Sequence, residues 1–150
     1  PQLNGSMQPI TSVKENEYDE ITEIWESSVR ATHHFLSEQD ILQLKPLVRN
    51  EFLGSVQLQA YRNEQGKIAG FVGVCGHKIE MLFIHPGYRG KGIGKKLLLH
   101  AEATYGVNEL DVNEQKPEAV GFYRHLGYNI TGRSEKDGQG NPFPLLHMKK

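Results

Sequence analysis

Residues 89–95, Arg89-Gly90-Lys91-Gly92-Ile93-Gly94-Lys95, join positive charge to backbone freedom in one short run. Before them Ile79 to Ile84 reads as an apolar strand stopped by Pro86-Gly87, and after them Ile93, Leu97, Leu98, Ala101 and Tyr105 recur at helical spacing. A glycine-rich turn feeding a helix start presents unpaired backbone N–H groups at the positive end of the helix dipole. That is an anion site, best suited to phosphate, and Arg89, Lys91, Lys95 and Lys96 add side-chain charge around it. No Gly-Lys-Ser/Thr follows, which removes the nucleoside-triphosphate loop, and the even spacing of Gly90, Gly92 and Gly94 does not fit the dinucleotide fingerprint. Glycine spacing by itself leaves a solvated basic loop as the competing reading.

Several other side chains have usable chemistry. Glu80 shares strand parity with Lys78, Leu82 and Ile84, so burial would raise its pKa toward that of a working base; a solvated carboxylate near a sheet end is the alternative. His77 has the better ordinary pKa for that role but falls in a turn. His33, His34 and Phe35 lie between the first two expected helices, where the histidines could meet a substrate or simply end a helix. Tyr123 belongs to an apolar helical face with Ala119, Phe122 and Leu126, a pattern that by itself indicates core. Cys75 has no readable His/Asn partner to activate it, and adjacent histidines cannot share a helix face as metal ligands at i and i+4 do.

The run Leu82-Phe83-Ile84-His85-Pro86-Gly87-Tyr88-Arg89-Gly90-Lys91-Gly92-Ile93-Gly94 resembles the central signature of the GNAT family of acyl-CoA-dependent N-acetyltransferases, with Arg89-x-x-Gly92-x-Gly94 as its loop. A second element similar to that family, Ala119-x-x-Phe122-Tyr123-x-x-x-Gly127-Tyr128, follows one helix and a short strand later. The resemblance implies acetyl-CoA as co-substrate, with no metal, and direct transfer of its acetyl group to a primary amine: a protein lysine, a peptide N-terminus or a small molecule. A non-catalytic acyl-CoA-binding or sensing domain is the alternative on the same fold. The implied coenzyme site takes in the backbone of Leu82, Phe83 and Ile84, which pairs with the pantetheine amides and supplies an N–H to the thioester oxygen. It also takes in Arg89, Gly90, Lys91, Gly92, Ile93, Gly94 and Lys95 around the pyrophosphate, and Phe122. Tyr123 becomes the general acid for the leaving thiolate and Glu80 the leading base. An amine of pKa ~10.4 needs about 4–5 kcal/mol to be neutral at pH 7, which is why a base is useful. His33, His34 and Phe35 fall at the implied acceptor site, which residues 28–36 and the loop before Pro142 would shape. In one respect the chain departs from the pattern: Lys116 stands where the family usually has asparagine, so the pantetheine contact passes to Asn113.

The elements needed to position these groups can be read in order. Ile10 to Val13 is a strand. Asn16 caps a helix to about Arg30, and Ser37 with Asp40 forms a capping box for a second helix bearing Ile41, Leu44, Val48 and Phe52, kinked or divided at Pro46. Val56 to Arg62, Ile68 to Cys75 and Ile79 to Ile84 are strands. The helix at 93–105, a strand at Leu110 to Val112, a helix over Glu118 to Leu126 after Pro117, and strands at Tyr128 to Arg133 and Leu145 to Met148 complete the order. This predicts an α/β (α+β) mixed sheet, and the resemblance narrows it to a mostly antiparallel sheet with a splayed parallel pair and helices on both faces. The 150 residues fit one domain, residues 7–150, with Pro1 to Ser6 before Met7 read as a cloning remnant. Seventeen basic against eighteen acidic residues, net charge −1, offer no bulk attraction to nucleic acid or an anionic membrane. A single cysteine points to a reducing, cytoplasmic setting. The expected partner is the amine acceptor, and the chain is expected to act as a monomer or homodimer.

Overall fold

The computed structural model describes residues 9–150, so the reading of Pro1 to Ser6 lies outside the described residues. The elements are β1 (Ile10–Ser12), α1 (Tyr18–Thr32), α2 (Glu38–Leu47), β2 (Gln57–Arg62), β3 (Ile68–Cys75), β4 (Lys78–Ile84), α3 (Ile93–Tyr105), β5 (Glu109–Asn113), α4 (Pro117–His125), β6 (Asn129–Ser134) and β7 (Leu145–Lys149). The strands form one seven-stranded sheet in the order β1-β2-β3-β4-β5-β7-β6. Every neighbouring pair is antiparallel except β4 and β5.

The expected order of elements is the observed one, and the differences are local. Asn16 does not cap the first helix. The carboxylate of Glu17 accepts from the Lys14 backbone N–H at 3.0 Å, tightening Glu15–Glu17 into a 3-10 turn, so that α1 starts at Tyr18. The Ser37–Asp40 capping box is present, with reciprocal bonds of 2.9 and 3.0 Å. Pro46 lies inside α2, and the chain changes to a π-helical turn at Val48–Phe52 directly after Leu47. Proline cannot supply the N–H of a continuing ladder.

The central strand β3 is buried on both sides. Val72 and Val74 pack with Ile79, Leu97, Leu98, Leu110 and Met148 beneath α3, while Phe71 packs with Ile21, Trp25, Val29 and Leu53 beneath α1. Helices therefore cover both faces. Parallel β4 and β5 pair only at Lys78↔Glu109 and Ile79↔Leu110. Beyond that point β4 stays with β3 to Ile84, and β5 with β7 to Asn113. The opening between them begins at a β-bulge: Ile79 pairs with Val74 and Met81 with Gly73, leaving Glu80 as the extra residue. A bulge bends its strand and adds twist, which turns β4 away from β5. It also overturns the simple parity expected of Glu80. Beyond the bulge Leu82 and Ile84 pack on the α3 side with Ile79, and Met81 and Phe83 on the α1 side.

Candidate active site

The basic loop is held from below. The His85 N–H donates to Ala69 O at 2.8 Å, and His85 Nδ1 accepts from the Gly87 N–H at 3.0 Å. Tyr88 packs edge-on to His85, and its hydroxyl accepts from Asn63 Nδ2 at 2.8 Å, pinning the turn to the β2–β3 connection. Gly90 and Gly92 adopt φ of 78° and 79°, left-handed values that glycine reaches without penalty. Gly92 precedes the first residue of α3, and no side chain caps that helix. Its first N–H groups are thus free to meet an anion.

These groups open into a cavity of about 590 Å³ between the C-terminal ends of β4 and β5. A crevice at the ends of diverging parallel strands is a common ligand position in α/β sheets. Arg89, Gly90, Gly92, Ile93, Gly94 and Lys95 line one end, Leu82, Phe83 and Ile84 form a wall, and Phe122 and Tyr123 lie opposite. Ser28, Ala31, Thr32 and His34, from the end of α1, close the far side. Most of the residues singled out in the sequence thus converge on one space.

Five do not line it. Lys91 is exposed on the loop. Asn113 ends β5 in register with Leu145, and its carbonyl accepts from the Lys116 N–H at 3.0 Å. Lys116 itself, at the asparagine position of the resemblance, reaches the cavity. His33 is only 9% exposed and packs between Phe35 and Phe83, with ring centroids 5.4 and 6.0 Å away. Phe35 in turn meets Phe143 at 5.2 Å, joining the α1–α2 junction to the β6–β7 loop.

Glu80 does not line the cavity either. It is exposed as a residue, yet desolvation of its carboxyl, aided by nearby Asp111 and opposed by Lys78, raises its pKa. Asp111 is tied to Lys78 Nζ at 2.8 Å and to His147 Nδ1 at 2.6 Å, while His147 Nε2 meets Ser134 Oγ at 2.7 Å. Burial opposes the Asp111 charge, but these bonds outweigh it and hold its pKa below the ordinary value. This four-residue network spans β4, β5, β6 and β7 beside Glu80. No local sequence signal marks it, because its members meet only through strand register.

Tyr123 is 8% exposed, and burial raises its pKa. Phe122 and Tyr128 pack edge-on to its ring. Its hydroxyl makes no hydrogen bond among the described residues, although the side chain lines the cavity. Arg89, Lys95 and Lys116, the cations lining the cavity, carry no ion pair among the described residues. An elongated anion carrying a pyrophosphate fits this combination: uncapped helix N–H groups and cations at one end, an apolar wall beyond.

The comparisons agree with that fit. Residues 29–150 match the family described as acetyltransferase (GNAT) domain. The chain is 42% identical over 135 residues to the peptidyl-lysine N-acetyltransferase YjaB of Escherichia coli, covering 90% of this chain and 91% of that one. It is 28% identical over 129 residues to the peptidyl-lysine N-acetyltransferase YiaC of the same organism, covering 85% and 88%. The solution structure of apo YjaB superimposes with a TM-score of 0.85 at 40% identity, covering 93% and 95% of the two chains. A PaiA N-acetyltransferase from Thermoplasma acidophilum, solved with coenzyme A, shares the fold at a TM-score of 0.75 and 21% identity, covering 94% and 97%. The chain belongs to the GNAT family and is an acetyl-CoA-dependent N-acetyltransferase.

Proposed function

We propose that this enzyme acetylates lysine side chains of peptides or proteins. The observation that carries this reading is its 42% identity, across 90% of the chain, to a relative named as a peptidyl-lysine N-acetyltransferase. The cavity suits such an acceptor, because it runs from the basic loop past Tyr123 to the end of α1, where a side chain can enter.

In this reading the α3 N-terminus and Arg89 bind the pyrophosphate, with Lys95 beside them. The exposed edge of β4 at Leu82, Phe83 and Ile84 pairs with the pantetheine amides, and a backbone N–H there meets the thioester oxygen as charge develops on it. Glu80, with its raised pKa, takes the amine proton through water, since it stands outside the cavity. Tyr123, kept protonated by burial, donates to the departing sulfur. The described residues contain no helix long and apolar enough to cross a membrane. The free thiol of Cys75 fits action in the cytoplasm, and the near-neutral charge favours neither nucleic acid nor an anionic membrane as partner.

Thiol release from acetyl-CoA, followed with N-terminally blocked lysine peptides, with lysine-free peptides bearing a free N-terminus, and with spermidine, tests the acceptor class. Turnover is expected with the first group. Faster turnover with either of the others overturns the assignment.

A further inference from the structure

Lys116 is the side chain that the family pattern does not account for. Its backbone is fixed on both sides: its N–H donates to Asn113 O at 3.0 Å, and its carbonyl accepts from the Val120 N–H at 3.1 Å in the first turn of α4. Pro117 follows it at the first helical position. From this anchored start the half-buried side chain enters the cavity shared with Tyr123, Phe122 and the β4 edge. Its ammonium is near enough to Arg89 and to His33 for their charges to influence one another. It has no carboxylate in ion-pair contact among the described residues.

We propose that Lys116 is itself an acetyl acceptor, and that the enzyme modifies this residue in cis when acetyl-CoA is bound. The proposal rests on the acetyl-CoA site described above. The neutral Nζ attacks the thioester carbonyl; the new N–C bond forms as the C–S bond breaks. The amine proton leaves to water, and the departing thiolate takes a proton from Tyr123 or water. Burial, with Arg89 adding to it and Glu118 opposing, lowers the Lys116 pKa to about 8. At pH 7.5 its neutral fraction exceeds that of an ordinary lysine on the order of a hundredfold. The product is an uncharged amide, the same functional group as the asparagine usually found here, and it removes a cation beside Arg89.

The test is incubation of the intact protein with carbon-13-labelled acetyl-CoA, then digestion and mass spectrometry of every lysine. Label should reach Lys116 at least about tenfold faster than the exposed Lys91 and Lys96, as its larger neutral fraction requires. The rate should not depend on protein concentration, and excess coenzyme A should suppress it at Lys116 but not at the exposed lysines. Lys116→Arg should lose the label at this position alone. Calorimetry on the same sample separates the two levels. Binding of acetyl-CoA without label at Lys116, or label there no faster than at Lys91, overturns the self-acetylation while sparing the coenzyme site. Absence of binding overturns both. A rate that rises with protein concentration overturns transfer in cis.

Discussion

In the proposed mechanism Tyr123 and Glu80 divide the proton traffic by environment. Tyr123 is buried among aromatic rings at the cavity wall and keeps its proton; Glu80 is exposed on a bulge and loses its proton more readily. Tyr123→Phe should lower kcat by about 10²-fold, the usual scale for a lost general acid, with the KM for acetyl-CoA nearly unchanged in steady-state assays. Glu80→Gln should lower kcat/KM by a similar factor, about 10²-fold at pH 7, with the deficit shrinking as pH rises and the amine sheds its proton unaided. A pH profile of both variants distinguishes these roles. His33 makes a different statement. Burial first, then Lys116 and His34, lower its pKa from 6.5 to about 3. The unfolded chain therefore binds a proton that the folded chain refuses. Stability is unaffected above about pH 6.5 and falls as pH drops toward 3, with a slope of up to about 1.4 kcal/mol per unit. Urea unfolding should show about 2 kcal/mol less stability at pH 5 than at pH 7 from this group, and His33→Phe, which retains the ring packing with Phe35 and Phe83, should flatten that difference.

At the scale of elements, two devices build the site. One is the bulge at Glu80, which ends the β4–β5 pairing after two residue pairs and opens the crevice. The Lys78–Asp111–His147–Ser134 network ties β4 to β5 at the base of that opening and continues across β7 to β6. The other is the left-handed turn at Gly92 that aims the α3 N–H groups at the cavity. A Cβ at Gly92 would meet nothing within 4 Å, so the cost of Gly92→Ala is conformational rather than steric, about 1–2 kcal/mol. That variant should weaken acetyl-CoA binding by about five- to thirtyfold if this strain is relieved in the apo protein by moving the loop, while the apo protein keeps its circular dichroism spectrum. Calorimetric titration checks it. The strand–loop–helix order was legible here because its signals are local: apolar runs, Pro86-Gly87, alternating glycines and helical spacing. The bulge was not, since an extra residue is defined only by what stands opposite it on β3.

For the whole molecule, a ligand that binds only the folded state stabilises it by mass action. Acetyl-CoA at a hundred times its dissociation constant should add about 2.7 kcal/mol and raise Tm by about 5–10 °C for a chain of this size, as differential scanning fluorimetry would record. The two cores, one on each side of β3, make the sheet the frame on which the loop, the β4 wall and Tyr123 are held at once. The amino-acid sequence by itself determined the succession of elements, the basic glycine-rich loop and the Phe122-Tyr123 pair, because turn chemistry, capping and periodicity act between near neighbours. Only the tertiary structure decided which of those residues share a cavity. It put Lys116 inside with Tyr123, left Asn113 and Glu80 outside, and buried His33 while leaving His34 at the rim. Strand register and the splay of β4 from β5 set those positions, and both depend on contacts between residues far apart in the chain.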